Sequence, residues 1–73
     1  MERLQKDLSL ARLTLLKRIA AATMNDTWAG SLNDPHDLLG NLERGGFIVS
    51  RLDKLGQPCY QATEFGMEYV LMY

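Results

Sequence analysis

The chain contains one cysteine and one histidine among its 73 residues. One cysteine excludes an intramolecular disulfide, and the pair cannot assemble a zinc site within the chain. That usage fits a reducing, cytoplasmic setting. A basic excess is also missing: the formal net charge is −1, whereas proteins that live on phosphate backbones usually carry an obvious positive one. Long apolar runs are absent too, since Arg12, Lys17 and Arg18 interrupt the most hydrophobic stretch and leave nothing that reads as membrane-spanning. The opening "MERLQKDL" mixes both charge signs and is followed by no small-residue cleavage site, so no secretory signal is expected.

What is present is enough for one folded domain, residues 1–73. Apolar residues make up 47 % of the chain, too many for a disordered tail and enough for a core near the lower size limit of self-sufficiency. Charge is unevenly spread. Residues 1–24 carry a net +3 and residues 25–45 a net −3.

Hydrophobic spacing predicts a helix over residues 8–24, with an extension back to Glu2 allowed. Leu4, Leu8, Ala11, Leu15, Ile19 and Ala22 recur at three- and four-residue steps on one stripe. Leu10, Leu13, Leu16, Ala20 and Met24 spread over the other side. A helix apolar on two sides is either wrapped by its fold or touches something outside it. The same alternative holds for the tail "YVLMY", residues 69–73.

Asn25 or Asp26 is expected to cap a short helix over Thr27–Leu32, with Trp28 and Leu32 pointing inward. Asp34 followed by Pro35 reads as the next helix start, and "PHDLLGNLER" keeps Leu38, Leu39 and Leu42 on one face. Gly45 and Gly46 end it, one of them in the left-handed conformation of a C-cap. From Phe47 the period changes to two: "FIVSRL" and "PCYQA" form a hairpin around "DKLGQ", with Gly56 available for positive φ. Thr63 caps a last helix, with Glu64 where the helix dipole favours an anion. Gly66 is expected to let that helix lie close to a neighbour.

This order of elements, with the segment "LLGNLERGGFIVSRLDKLGQPCYQATEFG", resembles the winged helix-turn-helix transcription regulators. Leu42, Gly46, Phe47 and Ile48 match their Leu-x-x-x-Gly step into the wing. Tyr60, Thr63 and Gly66 match their closing Tyr-x-Leu-Thr-x-x-Gly, with Ala62 where Leu is commoner. The resemblance covers roughly residues 26–70. It implies a mainly α fold with a β-hairpin wing: three helices, a two-stranded wing and a C-terminal helix. A stand-alone winged helix of this length is also similar in size to small phage-encoded regulators of host transcription, which would place it in a host cytoplasm.

For a DNA-reading member, the resemblance puts the helix of residues 35–44 in the major groove and the wing on the backbone. The contacts would be Asn41, Arg44, Arg51 and Lys54, with Asn41 suited to adenine and Arg44 to guanine, and a homodimer would gather two wings. No Lys or Arg precedes Arg44 in residues 25–43, however, and Asp34 and Asp37 oppose phosphates. The expectation taken first is therefore a regulator that grips a protein of the transcription machinery, such as an RNA polymerase subunit, and blocks or displaces another factor. Arg3, Lys6, Leu10, Leu13 and Lys17 would make the contact, their charge suiting an acidic partner surface. The homodimeric DNA-binding repressor is the alternative.

No catalytic, metal or cofactor chemistry is expected. His36 falls at a helix start and Cys59 on a strand, with no third group to orient a nucleophile–base pair. The carboxylates are scattered.

Overall fold

The computed structural model describes residues 8–30 and 36–73. Its elements are α1 (Leu10–Met24), β1 (Ala29–Gly30), α2 (His36–Arg44), β2 (Ile48–Leu52), β3 (Pro58–Ala62) and α3 (Glu64–Met72). The strands form one antiparallel sheet in the order β1-β3-β2. The described fold is thus a mixed α/β domain of three helices and three strands.

Helix α1 begins later than its hydrophobic spacing allows. Ser9 has extended backbone, and its hydroxyl accepts the Arg12 N–H. That is an N-cap, so Leu8 and Ser9 lie outside the helix; the extension back to Glu2 falls outside the described residues. The centre of α1 is buried from both of its apolar sides: Leu15 and Ile19 from one stripe, Leu16 and Ala20 from the other. The helix packs on β3, α3, α2 and β1, so its middle turns are wrapped. Its ends are not, and Leu10 and Met24 stay exposed.

The expected short helix over Thr27–Leu32 is replaced, at its described residues, by strand β1. Ala29 and Gly30 pair with Tyr60 and Cys59. The cause lies at the end of α1. Asp26 takes φ 60, its N–H bonds the Thr23 carbonyl, and the Thr27 N–H reaches back to the Ala22 carbonyl. This is the Schellman closure, with Asp26 in the left-handed position that glycine usually fills. Asn25 and Asp26 therefore end one helix instead of starting another, and the chain leaves in an extended direction. The β2–β3 hairpin accordingly belongs to a three-stranded sheet, where a two-stranded wing was expected. Leu32 and the Asp34–Pro35 start lie outside the described residues.

The α2 exit repeats the motif. Gly46 has φ 83, its N–H bonds the Glu43 carbonyl, and the Phe47 N–H bonds that of Leu42. Here glycine supplies the left-handed residue at no steric cost. Leu39, Leu42, Phe47 and Ile48 then enter the core with Tyr60, Ala62 and Tyr69. In the hairpin, the Asp53 carboxylate accepts the N–H groups of Leu55 and Gln57, and Gly56 takes φ 81. This is the three-residue loop with a glycine bulge.

Strand alternation sorts the sheet into two faces. Ile48, Tyr60 and Ala62 point to the core, while Val49, Arg51, Cys59 and Gln61 take the other face. The single thiol of Cys59 is buried there, 3.5 Å from the Arg51 carbonyl oxygen.

Candidate functional site

Two surfaces carry the residues singled out by the sequence. One takes in α2 and the β2–β3 hairpin, with Asn41, Arg44, Arg51 and Lys54, of which Arg51 lies on the sheet face turned away from the core. On α2, the Arg44 guanidinium donates to the Asn41 side-chain oxygen at 2.8 Å. The spacing of three places both on one helix face, so each occupies a group the other would need for a base edge. Arg51 lies on the outer sheet face, its guanidinium carbon 4.2 Å from the centre of the Trp28 ring. Such a contact contributes about 0.5–1 kcal/mol at an exposed site. Trp28 was expected to point inward; it is half-buried and sits under this cation instead. Lys54 is exposed in the hairpin loop. Among these four, the two on α2 are brought together. Arg51 is drawn to Trp28 on the outer sheet face.

Burial raises the pKa of the Tyr60 phenol above its ordinary value, with the Glu43 carboxylate and Cys59 adding to the effect. Glu43 itself accepts the Ser50 hydroxyl at 3.0 Å, tying α2 to β2. This side of the molecule therefore carries a carboxylate between α2 and β2.

The second surface lies between α3 and the segment leading into α1. Arg3 and Lys6 lie outside the described residues. Leu10 is 79 % exposed, whereas Leu13 packs partly against the core. Lys17 donates to the Tyr73 carbonyl oxygen at 3.2 Å. Tyr73 in turn lines a groove of about 490 Å³ together with Leu8, Phe47, Phe65, Tyr69 and Met72.

The groove has an aromatic floor that sequence spacing did not reveal. Phe47 stacks on Phe65 with ring centres 4.9 Å apart and meets Tyr69 edge-on at 5.1 Å. Tyr69 stacks on Tyr73 at 4.5 Å, and its hydroxyl accepts the Leu8 N–H at 2.9 Å. These geometries are the favourable ones for ring quadrupoles. The tail "YVLMY" thus divides. Tyr69 is core and Val70 packs against it, while Leu71, Met72 and Tyr73 are exposed. The only hint in the sequence was the helical spacing of Phe65, Tyr69 and Tyr73; the participation of Phe47, from the α2–β2 junction, is a tertiary fact.

Among the described residues, no cluster of His, Cys, Asp or Glu side chains could hold a metal, and no helix is long and apolar enough to cross a membrane. No protein-family model matches the chain, and neither the curated proteins nor the solved structures yield a match.

Proposed function

We propose that the chain is a small winged-helix regulator that binds a protein of the transcription machinery, such as an RNA polymerase subunit, and sterically blocks or displaces another factor. The observation that carries the protein-binding part is the apolar groove with Phe65, Met72 and Tyr73 exposed on it, Lys17 at its Tyr73 end and Leu10 exposed on the same helix as Lys17. Exposed large apolar groups around a lined depression mark interaction surfaces in small folded proteins. The transcriptional part rests on the resemblance, which a strand after α1 and a hairpin after α2 accommodate. The mechanism is occupancy alone and needs no chemistry.

The test is affinity capture with the tagged chain, mass-spectrometric identification of retained proteins, and in-vitro transcription with the component identified. A transcription component is expected to be retained by the wild type and released by Lys17→Glu combined with Met72→Glu, and transcription is expected to fall on adding the wild type only. If nothing of the transcription machinery is retained, and the chain instead binds duplex DNA in a salt-sensitive way that Arg44→Ala abolishes, the repressor reading replaces this one.

A further inference from the structure

The two edges of the sheet differ. One is β1, two residues long; the other is β2, five residues paired with β3 without a bulge. The Asp53 N–H bonds the Gln57 carbonyl and the Thr63 N–H bonds that of Phe47, so the odd-numbered residues of β2 turn their main-chain groups toward β3. Alternation then turns those of Ile48, Ser50 and Leu52 outward. No hydrogen bond reaches them from the described residues, and Val49, Ser50, Arg51 and Leu52 are all exposed. Edge strands of folded proteins are commonly guarded by a charge, a proline or a bulge. Arg51 carries the charge on β2. Its guanidinium reaches across β3 to Trp28, just before β1, and so leans away from the open edge.

A row of free N–H and C=O groups at strand spacing is matched by an extended strand. Charge selects which one. Glu43 accepts the Ser50 hydroxyl at 3.0 Å, which puts its carboxylate beside the middle of the edge, and no cation among the described residues pairs with it. The β2 strand of a second copy does not suit this edge. A twofold axis at Val49 or Ser50 brings the two Glu43 carboxylates close, and one at Arg51 sets arginine opposite arginine. We infer that β2 is extended by a strand from a protein partner, running antiparallel to it, with a lysine or arginine opposite Ser50. That side chain lies on the Glu43 face, and an apolar residue two positions earlier meets Leu52, 67 % exposed on the same face. Antiparallel pairing is the more stable arrangement per residue. The site shares no residue with the apolar groove, so it goes beyond the proposed function and specifies its own partner segment.

The experiment uses the full chain and dye-labelled synthetic peptides built on Val-Thr-Lys-Val-Thr between flanking serines. A second peptide has Glu in place of the Lys, and a third has the Lys main-chain nitrogen methylated, which removes its N–H. Binding is followed by fluorescence anisotropy, and amide hydrogen exchange along β2 by NMR. The Lys peptide is expected to bind about threefold or more tighter than the Glu peptide, the range that surface charge pairs supply. The methylated peptide should bind about tenfold or more weaker, because the Ser50 carbonyl loses its donor. Exchange of the Ser50 and Leu52 amides should slow on adding the Lys peptide, with Val49 and Arg51 unchanged. Glu43→Lys should reverse the order of the Lys and Glu peptides, whereas Met72→Glu, in the groove, should leave it as it is. Circular dichroism melting verifies that both exposed-site variants keep the fold. Equal binding of the Lys and Glu peptides, equal binding of the methylated one, or no slowing at Ser50 and Leu52 overturns the inference. So does slowing at those amides that rises with protein concentration alone, the mark of a second copy on the edge. If the Lys peptide binds as described while no transcription component is retained from lysate, the proposed function fails and this inference stands. If such a component is retained while the peptide leaves β2 unprotected, this inference fails and the proposed function stands.

Discussion

Gly66 is packed against the carbonyl group of Phe47 so closely that a Cβ at position 66 would overlap its oxygen. The carbonyl cannot retreat, because it accepts the Thr63 N–H at 2.9 Å. Thr63 completes the junction: its hydroxyl accepts the Gly66 N–H at 3.0 Å and donates to the Gly46 carbonyl at 2.6 Å. The start of α3 is thereby tied to the exit of α2. Gly66→Ala should destabilise the protein by about 1–3 kcal/mol, the cost of forcing atoms into a filled space. Gly40→Ala is the control, since its new methyl meets only the flexible end of Arg44 and should gain about 0.5–1 kcal/mol from helix propensity. Urea unfolding of the two variants should show midpoint shifts of opposite sign.

Thr23 joins α1 to the sheet. Its hydroxyl donates to the Ile19 carbonyl at 3.0 Å and accepts the Ala62 N–H at 2.8 Å. That N–H points to the β1 side of β3, opposite the residues that precede β1. Thr23→Val keeps the shape and removes the acceptor, orphaning a buried donor at a cost of about 1–3 kcal/mol. Thr23→Ser should retain most of the stability. Hydrogen exchange of the Ala62 amide should accelerate in the Val variant and not in the Ser variant.

Asp26 occupies a left-handed conformation at the end of α1, which disfavours most residues with a side chain. Asp26→Gly should raise stability by about 0.5–1 kcal/mol, and Asp26→Val should lower it. A thermal melt of each variant tests the order Gly above Asp above Val.

Tyr60 carries the clearest pH dependence. Its folded-state pKa is raised, chiefly by burial, so folding favours the neutral phenol. The associated stability is fully present below the unfolded-state pKa of about 10 and is lost as pH rises through that value toward the folded one. Stability should therefore decline above about pH 10, and more steeply in the wild type than in Tyr60→Phe. Denaturant midpoints measured on either side of that pH provide the comparison.

Local chemistry made much of the fold legible. The double glycine after Arg44, the Asp-Lys-Leu-Gly turn and the Thr-Glu pair before Phe65 each act within a few residues, where capping and turn geometry are set by neighbours. α2, the hairpin strands and α3 accordingly fall where their spacing places them. The stretch after Met24 was misread because Asn25 and Asp26 suit two local roles, closing a helix or opening one. A Schellman bond and a two-residue pairing with β3 decided between them. Leu10 and Leu16 show the same limit for burial. Both lie on the second apolar side of α1, but Leu16 is covered and Leu10 is not; nothing in the spacing tells them apart.

The candidate site was the least legible part. Charge and apolar content pointed to α1, and Lys17 does border the groove, but Leu13 serves mainly the core. The aromatic floor needs Phe47, Phe65 and Tyr69 from two distant segments, and the Arg51–Trp28 contact joins residues on different strand edges. By itself, then, the sequence determined what acts locally: where α2 and α3 stop or start and where the hairpin turns, with Gly66 suited to a close approach by a neighbour. Only the tertiary structure decided which neighbour that is, which apolar residues are core, and where a groove opens. Contacts between residues far apart in the chain depend on the packing of whole elements, and periodicity carries no record of that.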